Sequence, residues 1–298
     1  MLPVVLLIAF GYFAGQRNIV DAAAVKGLSN LVFLLLTPVL LFRTMSGVHI
    51  EQLNFSPVAV YFIAVALIFG ATLALQGFNR RAAVLALANT FSNTVMVGIS
   101  LISLAYGQAG LVSLVLLTVA TVVLELAVAR EAARHTQAAP RHMAATVLMA
   151  AKNAIIHPVP LPIICGLLFA QTGLTIPPLI DQPMALLANA FAPLALLLVG
   201  ITLAAEPVGP HLRGAVGISL VKTVVHPALV WALGLLLGVD GLPLTVMVVT
   251  AALPIGANVF LFSQRYEVAQ EQVTAAVAVS TVLGMVSVAL AMVWMGAV

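Results

Sequence analysis

Two stretches of an otherwise apolar chain carry residue types that could hold a small molecule. The first, Asn89-Thr90-Phe91-Ser92-Asn93-Thr94-Val95-Met96-Val97-Gly98-Ile99-Ser100, places two amides, four hydroxyls and a glycine within one apolar segment. The second, Ala252-Leu253-Pro254-Ile255-Gly256-Ala257-Asn258, brings a helix breaker, a flexible residue and an amide close together. Proline lacks a backbone donor and clashes with the preceding turn, so a helix is expected to break near Pro254. In a membrane the freed backbone groups are tolerated only against protein or a water-filled cavity. A broken helix also turns an N-terminus, with free N–H groups and partial positive charge, toward the midplane. Two such breaks suit an anion, and Asn89, Asn93, Thr94, Pro254, Ile255, Gly256 and Asn258 are the candidate substrate-binding residues. The plainer alternative is a proline kink with Asn and Thr bonding neighbouring helices.

Ionisable residues inside a membrane span are costly unless used or paired. Lys222 and His226 are four apart and share one helical face. They could draw in an anion, with His226 able to titrate near neutral pH, or Lys222 could snorkel to an interface near Arg213. Glu125, the one acidic residue in the body of a span, is a candidate proton carrier or sits beside Arg130 near a helix end. Lys152 and His157, just before Pro158, offer the same choice between a charge at the site and an interface anchor.

The elements that must position these residues follow from composition. Of 298 residues 63% are hydrophobic and 7% charged, against about 25% charged in soluble domains, so a soluble globular protein is excluded. A formal net charge of +3, thinly spread, makes no nucleic-acid footprint. The single cysteine, Cys165, excludes an intramolecular disulfide and a cysteine-based metal cluster. A span needs about 20 apolar residues, and apolar segments lie near 2–15, 28–45, 56–76, 83–105, 110–129, 154–172, 183–204, 214–237, 243–264 and 273–296. The first has no Lys or Arg before it and reads as a retained helix rather than a cleaved signal.

Lys and Arg collect in cytoplasmic loops, and here Arg17, Lys26, Arg80, Arg81, Arg130, Arg134, Arg141, Arg213 and Arg265 follow the odd-numbered segments. Both termini are therefore expected outside, in a bacterial-type inner membrane. The polar stretch 131–142 reads as a cytoplasmic linker between residues 1–130 and 143–298. Pro38 and Pro193 recur in the second and seventh segments, and Asn93 then Tyr106 in the first half are matched by Asn258 then Tyr266 in the second. With five spans per half the repeat is inverted. No phosphate-cradling loop, zinc motif or nucleophile elbow is found, so the chain reads as no enzyme, with no cofactor and no metal.

The run from Asn89 to Tyr106-Gly107, together with Leu253 to Asn258 and Gln264-Arg265-Tyr266, resembles the auxin efflux carrier family, whose bacterial members include malonate and malate permeases. The similarity covers nearly the whole chain, with the Pro38, Pro158 and Pro193 helices. Ser92 and Ser100 stand where plant members have proline. The resemblance implies an all-α polytopic fold of ten transmembrane helices in two inverted five-helix repeats, with broken helices four and nine crossing, related to the sodium-coupled bile-acid carriers. It also implies a scaffold and a moving transport domain, an organic anion as substrate, a site that includes His157, membrane lipid as surroundings and a homodimer. The expected function is secondary transport of a small carboxylate by alternating access. An anion channel and a metabolite-binding membrane sensor are the alternatives. Proton coupling, sodium coupling and uniport are the alternatives for the energetics.

Overall fold

The computed structural model describes residues 2–49, 51, 53–134, 158–205, 212–256 and 258–296, and is helical throughout them apart from turns and one isolated bridge. In chain order the helices are α1 (Leu2–Gln16), α2 (Ala22–Leu31), α3 (Thr37–Met45), α4 (Ser56–Gln76), α5 (Arg80–Thr90), α6 (Ile99–Arg134) and α7 (Pro160–Gln171). They continue with α8 (Pro178–Ala205), α9 (Leu212–Leu220), α10 (His226–Leu236), α11 (Gly241–Ala252), α12 (Asn258–Tyr266) and α13 (Gln270–Trp294).

Three one-turn π segments, Val32–Leu36, Thr94–Gly98 and Val221–Val225, link α2 to α3, lead into α6 and link α9 to α10. Two of them end two residues before a proline, Pro38 and Pro227. Proline crowds the carbonyl four residues back, and the wider turn relieves that crowding: Thr37 and His226 each donate their N–H to the carbonyl five residues earlier. Thr37 Oγ1 adds a second bond to Val32 O at 2.8 Å.

Among the described residues, six helical runs are long and apolar enough to cross a membrane: Ala23–Met45, Ser56–Gln76, Thr94–Thr121, Pro178–Ala204, Leu212–Leu236 and Gln270–Trp294. The ten segments read from hydropathy map onto these differently for a physical reason. The fourth is split between α5 and the start of α6, and α6 runs on into the fifth through Gly107, the single residue inside it with non-helical dihedrals (φ 59°, ψ −149°). A Cβ at Gly110 would lie 3.0 Å from Ile102 Cγ2. Eight residues of straight helix rise about 12 Å, so the axis bends sharply at Gly107, where glycine alone accepts a positive φ without strain. The first, sixth and ninth segments form the shorter apolar helices α1, α7 and α11.

Large apolar side chains cover the outside, among them Phe10, Leu75, Phe78, Leu179 and Trp294. An exposed surface of this kind suits hydrocarbon rather than water. Inside, one apolar cluster joins α1, α3, α4, α6, α7, α8, α10, α11 and, through Val288 and Met292, the C-terminal half of α13. A second, smaller one joins α5, α9, α12 and α13 through Leu85, Ala88, Ile218, Ile255 and Ala276. Leu253 belongs to the first and Ile255 to the second, so Pro254 sits where the two cores meet.

Candidate functional site

Helix α5 starts under Asn79, whose side chain accepts from Ala82 N at 2.9 Å, and stops at Thr90. Phe91 turns into extended backbone (ψ 114°), although Ser92 rather than proline follows it. Helix α11 stops at Ala252, and Leu253 is likewise non-helical. The two interruptions pair with each other. Asn93 N–H donates to Pro254 O at 2.9 Å and Gly256 N–H donates to Phe91 O at 3.1 Å, closing an antiparallel bridge between Ser92 and Ile255. Glycines allow the approach: a Cβ on Gly256 would meet the Phe91 ring at 2.6 Å, and one on Gly284 of α13 would meet Pro254 Cδ at 3.1 Å.

The pairing alters what the breaks offer a ligand. The sequence suggests free N–H groups, yet Ile255 N–H donates to Ser280 Oγ, Met96 N–H to Asn93 Oδ1 and Thr94 N–H to Ser92 O. Each break satisfies its backbone on the other break, on its own residues or on Ser280 of α13, as a low-dielectric setting requires.

Lys222 is fully buried on the π segment before α10. Its Nζ donates to Ala251 O at 2.6 Å and to Leu253 O at 2.9 Å, the carbonyls left over at the end of α11. It therefore does not snorkel to an interface. Four residues on, His226 is buried against Tyr61 with ring centroids 4.9 Å apart, and neither ring nitrogen has a hydrogen-bond partner among the described residues. Ser92 Oγ donates to Thr250 O at 2.8 Å, so its contact with Tyr61 at 2.8 Å has the phenol as donor. Tyr61 and Lys222 thus tie α4 and the π segment to the two breaks.

One turn before its break, α5 borders a cavity of about 640 Å³ lined by Gln76, Arg81, Leu85, Asn89, Gly214, Gly217, Ile218, Val221 and Gln272. Arg81 is exposed at one end and donates to Gln272 Oε1 at 2.7 Å. Asn89, buried at the other, donates from Nδ2 to Thr72 Oγ1 at 3.1 Å, and its Oδ1 has no partner among the described residues. The cavity offers a cation at its mouth and an acceptor at its depth.

The chain matches the family described as "Membrane transport protein" over residues 1–292. It belongs to that family, the group of the auxin efflux carriers. It is also 30% identical, over 97% of its own length and 92% of the relative's, to a protein of Rhizobium meliloti (strain 1021) named "Putative malonate transporter". The protein is thus a multi-pass membrane transporter rather than an enzyme, acting on a small molecule.

In the transporter, Asn93, Pro254, Ile255 and Gly256 meet at the paired breaks, Thr94 is buried just behind them, and Asn89 faces the cavity. Asn258 is exposed at the head of α12. Lys152 and His157 lie outside the described residues, as does the side chain of Glu125, whose backbone is part of α6. Sequence reasoning passed over Tyr61, Thr72, Arg81, Gln272, Ser280 and Gly284 as parts of the site. Single hydroxyls and amides in apolar helices carry no spacing signal, and only the tertiary pairing shows what they hold.

Proposed function

We propose that this transporter is a secondary carrier of a small carboxylate, working by alternating access about the paired breaks at Asn93 and Pro254. The observation that carries the reading is the polar cavity that runs from Arg81 to Asn89, one turn from those breaks. A relative named for malonate supports a short dicarboxylic acid as the cargo. The reading takes residues 1–130 and 143–298 as inverted five-helix repeats about a linker at 131–142, with helices four and nine crossing. Both termini lie outside the bacterial inner membrane, and the mouth at Arg81 faces the cytoplasm.

In this reading the smaller core of α5, α9, α12 and α13 moves against the larger one in the manner of an elevator, and two copies pair through the larger. Asn93 and Asn258 supply amides to the cargo, and Lys222 and His226 brace the breaks from behind. Glu125, Lys152 and His157 are further positions where charge could act. Uptake of radiolabelled malonate, malate and indole-acetate into proteoliposomes tests the reading: one acid is expected to show saturable uptake. Removing two amides that bond a charged group is expected to lower uptake more than about tenfold in an Asn93→Ala, Asn258→Ala double variant. Wild-type kinetics in that variant would sink the assignment of Asn93 and Asn258 to the cargo.

A further inference from the structure

The hydrogen bonds around Asn89 fix which way its amide points. Thr72 Oγ1 gives its only hydrogen to Ile68 O at 2.8 Å, so toward Asn89 it can act only as an acceptor. Asn89 must therefore turn its NH₂ to Thr72, at 3.1 Å. The carbonyl oxygen Oδ1 is left, with Asn89 only 6% exposed, without a partner among the described residues in a residue that lines the cavity. A buried acceptor calls for a donor. A fully ionised carboxylate has none to give, and two acceptors face to face repel.

We propose that the deep end of this cavity takes its acid as the carboxylic –COOH form, whose hydroxyl donates to Asn89 Oδ1, so that the cargo carries the coupled proton itself. The inference rests on the carboxylate-carrier reading above and names the form of the acid carried. For a dicarboxylic acid this is the singly protonated anion. Its remaining –COO⁻ is drawn in by Arg81, which spends one N–H on Gln272 and keeps others. Arg81 and Asn89 lie eight residues apart on one stripe of α5, about 12 Å of rise. A three-carbon diacid does not bridge them, so Arg81 acts first and Asn89 second. The acid gains its proton from water before it enters and returns it to water after release; no protein group changes protonation.

The charged and titratable side chains around Asn89 agree with this. The elements packed on α5 are α4, α9, α12, α13 and the π segment at 221–225. On them stand Tyr61, Arg213, Arg265, Tyr266, Glu271 and Lys222, the side chain of Arg265 lying outside the described residues, and α5 itself carries Arg80 and Arg81. Among the described residues only Arg81 of this group lines the cavity. Lys222 is engaged by two carbonyls and Tyr61 by Ser92.

The test is the initial rate of malonate uptake into proteoliposomes across a pH series, with an internal pH dye reading proton delivery. Above the second ionisation of malonic acid, the KM in total malonate is expected to rise about tenfold per pH unit. Expressed as hydrogen malonate it should stay constant, with interior acidification tracking uptake. Asn89→Ala is expected to flatten that dependence. Thr72→Val, which frees the amide to turn over, is expected to weaken it, and Thr72→Ser to keep it; these two guard against a folding defect at residue 89. A KM in total malonate that does not change with pH would overturn the inference and leave only a water on Asn89, while the carrier reading stands. A wild-type slope in both Asn89→Ala and Thr72→Val would overturn it too. Absence of uptake of any acid at any pH would instead remove the carrier reading beneath it.

Discussion

Lys222 shows how one side chain can hold a broken helix in place. The end of α11 leaves carbonyls without intrahelical partners, and a cation there is favoured by the helix dipole. No carboxylate lies within ion-pair distance of Lys222 among the described residues; its two hydrogen bonds go to Ala251 O and Leu253 O. Two effects oppose each other in Lys222→Met. Removing the head relieves the burial of an unpaired ammonium, but leaves two buried carbonyls unmade at about 1–3 kcal/mol each. The second outweighs the first because the breaks rest on those carbonyls. Lys222→Met is expected to lower the melting temperature in detergent by several degrees and to abolish uptake. Lys222→Gln, which keeps donors on a shorter arm, should fall between. A Lys222→Met protein that melts with the wild type would show that the contact does not hold the break.

At the scale of helices, the tightest packing joins α1 to α8. A Cβ at Gly11 would lie 2.1 Å from Leu197 O, one at Gly200 2.1 Å from Ile8 O, and one at Gly15 2.7 Å from Ala204 Cβ. Small residues let backbones touch where no hydrophobic force drives helices together in lipid. Gly200→Leu therefore separates α1 from α8 and is expected to yield protein that elutes as aggregate in size-exclusion chromatography. Gly70→Ala on α4, where a Cβ meets nothing within 4 Å, should melt at or above the wild-type temperature, since alanine is favoured by about 1 kcal/mol in a helix. An unchanged elution profile for Gly200→Leu would contradict the packing.

The same scale explains what could be read from sequence. The apolar spans and the stop near Pro254 were legible because hydropathy and proline act locally. The break after Thr90 was legible only as a polar run, since Ser92 forces nothing by itself. Two of the π turns fall just before Pro38 and Pro227, but proline marks only a crowded turn, and the i→i−5 bond that relieves it was not legible. The mutual satisfaction of the two breaks was likewise hidden: it depends on residues more than 150 positions apart, Ser92 and Ile255, arriving side by side.

For the whole molecule, the proposed reading divides a carrier from a channel by whether the cavity reaches both sides of the membrane at once. Gly217 lines the cavity, and a Cβ there meets nothing within 4 Å, so Gly217→Cys places a thiol in the cavity wall with little disturbance. Cys165 is exposed and must first be replaced by serine. In oriented vesicles, a membrane-impermeant thiol reagent is expected to label residue 217 from the side that holds Arg81 and Arg213, and malonate should change the rate. If α5 moves with α9, α12 and α13 as one core, a saturating acid shifts the population between the two openings and cannot leave both fast. Equal labelling from both sides, indifferent to malonate, would describe an open pore. Labelling that malonate slows on one side and raises on the other would require the smaller core to travel, carrying Asn89 with it.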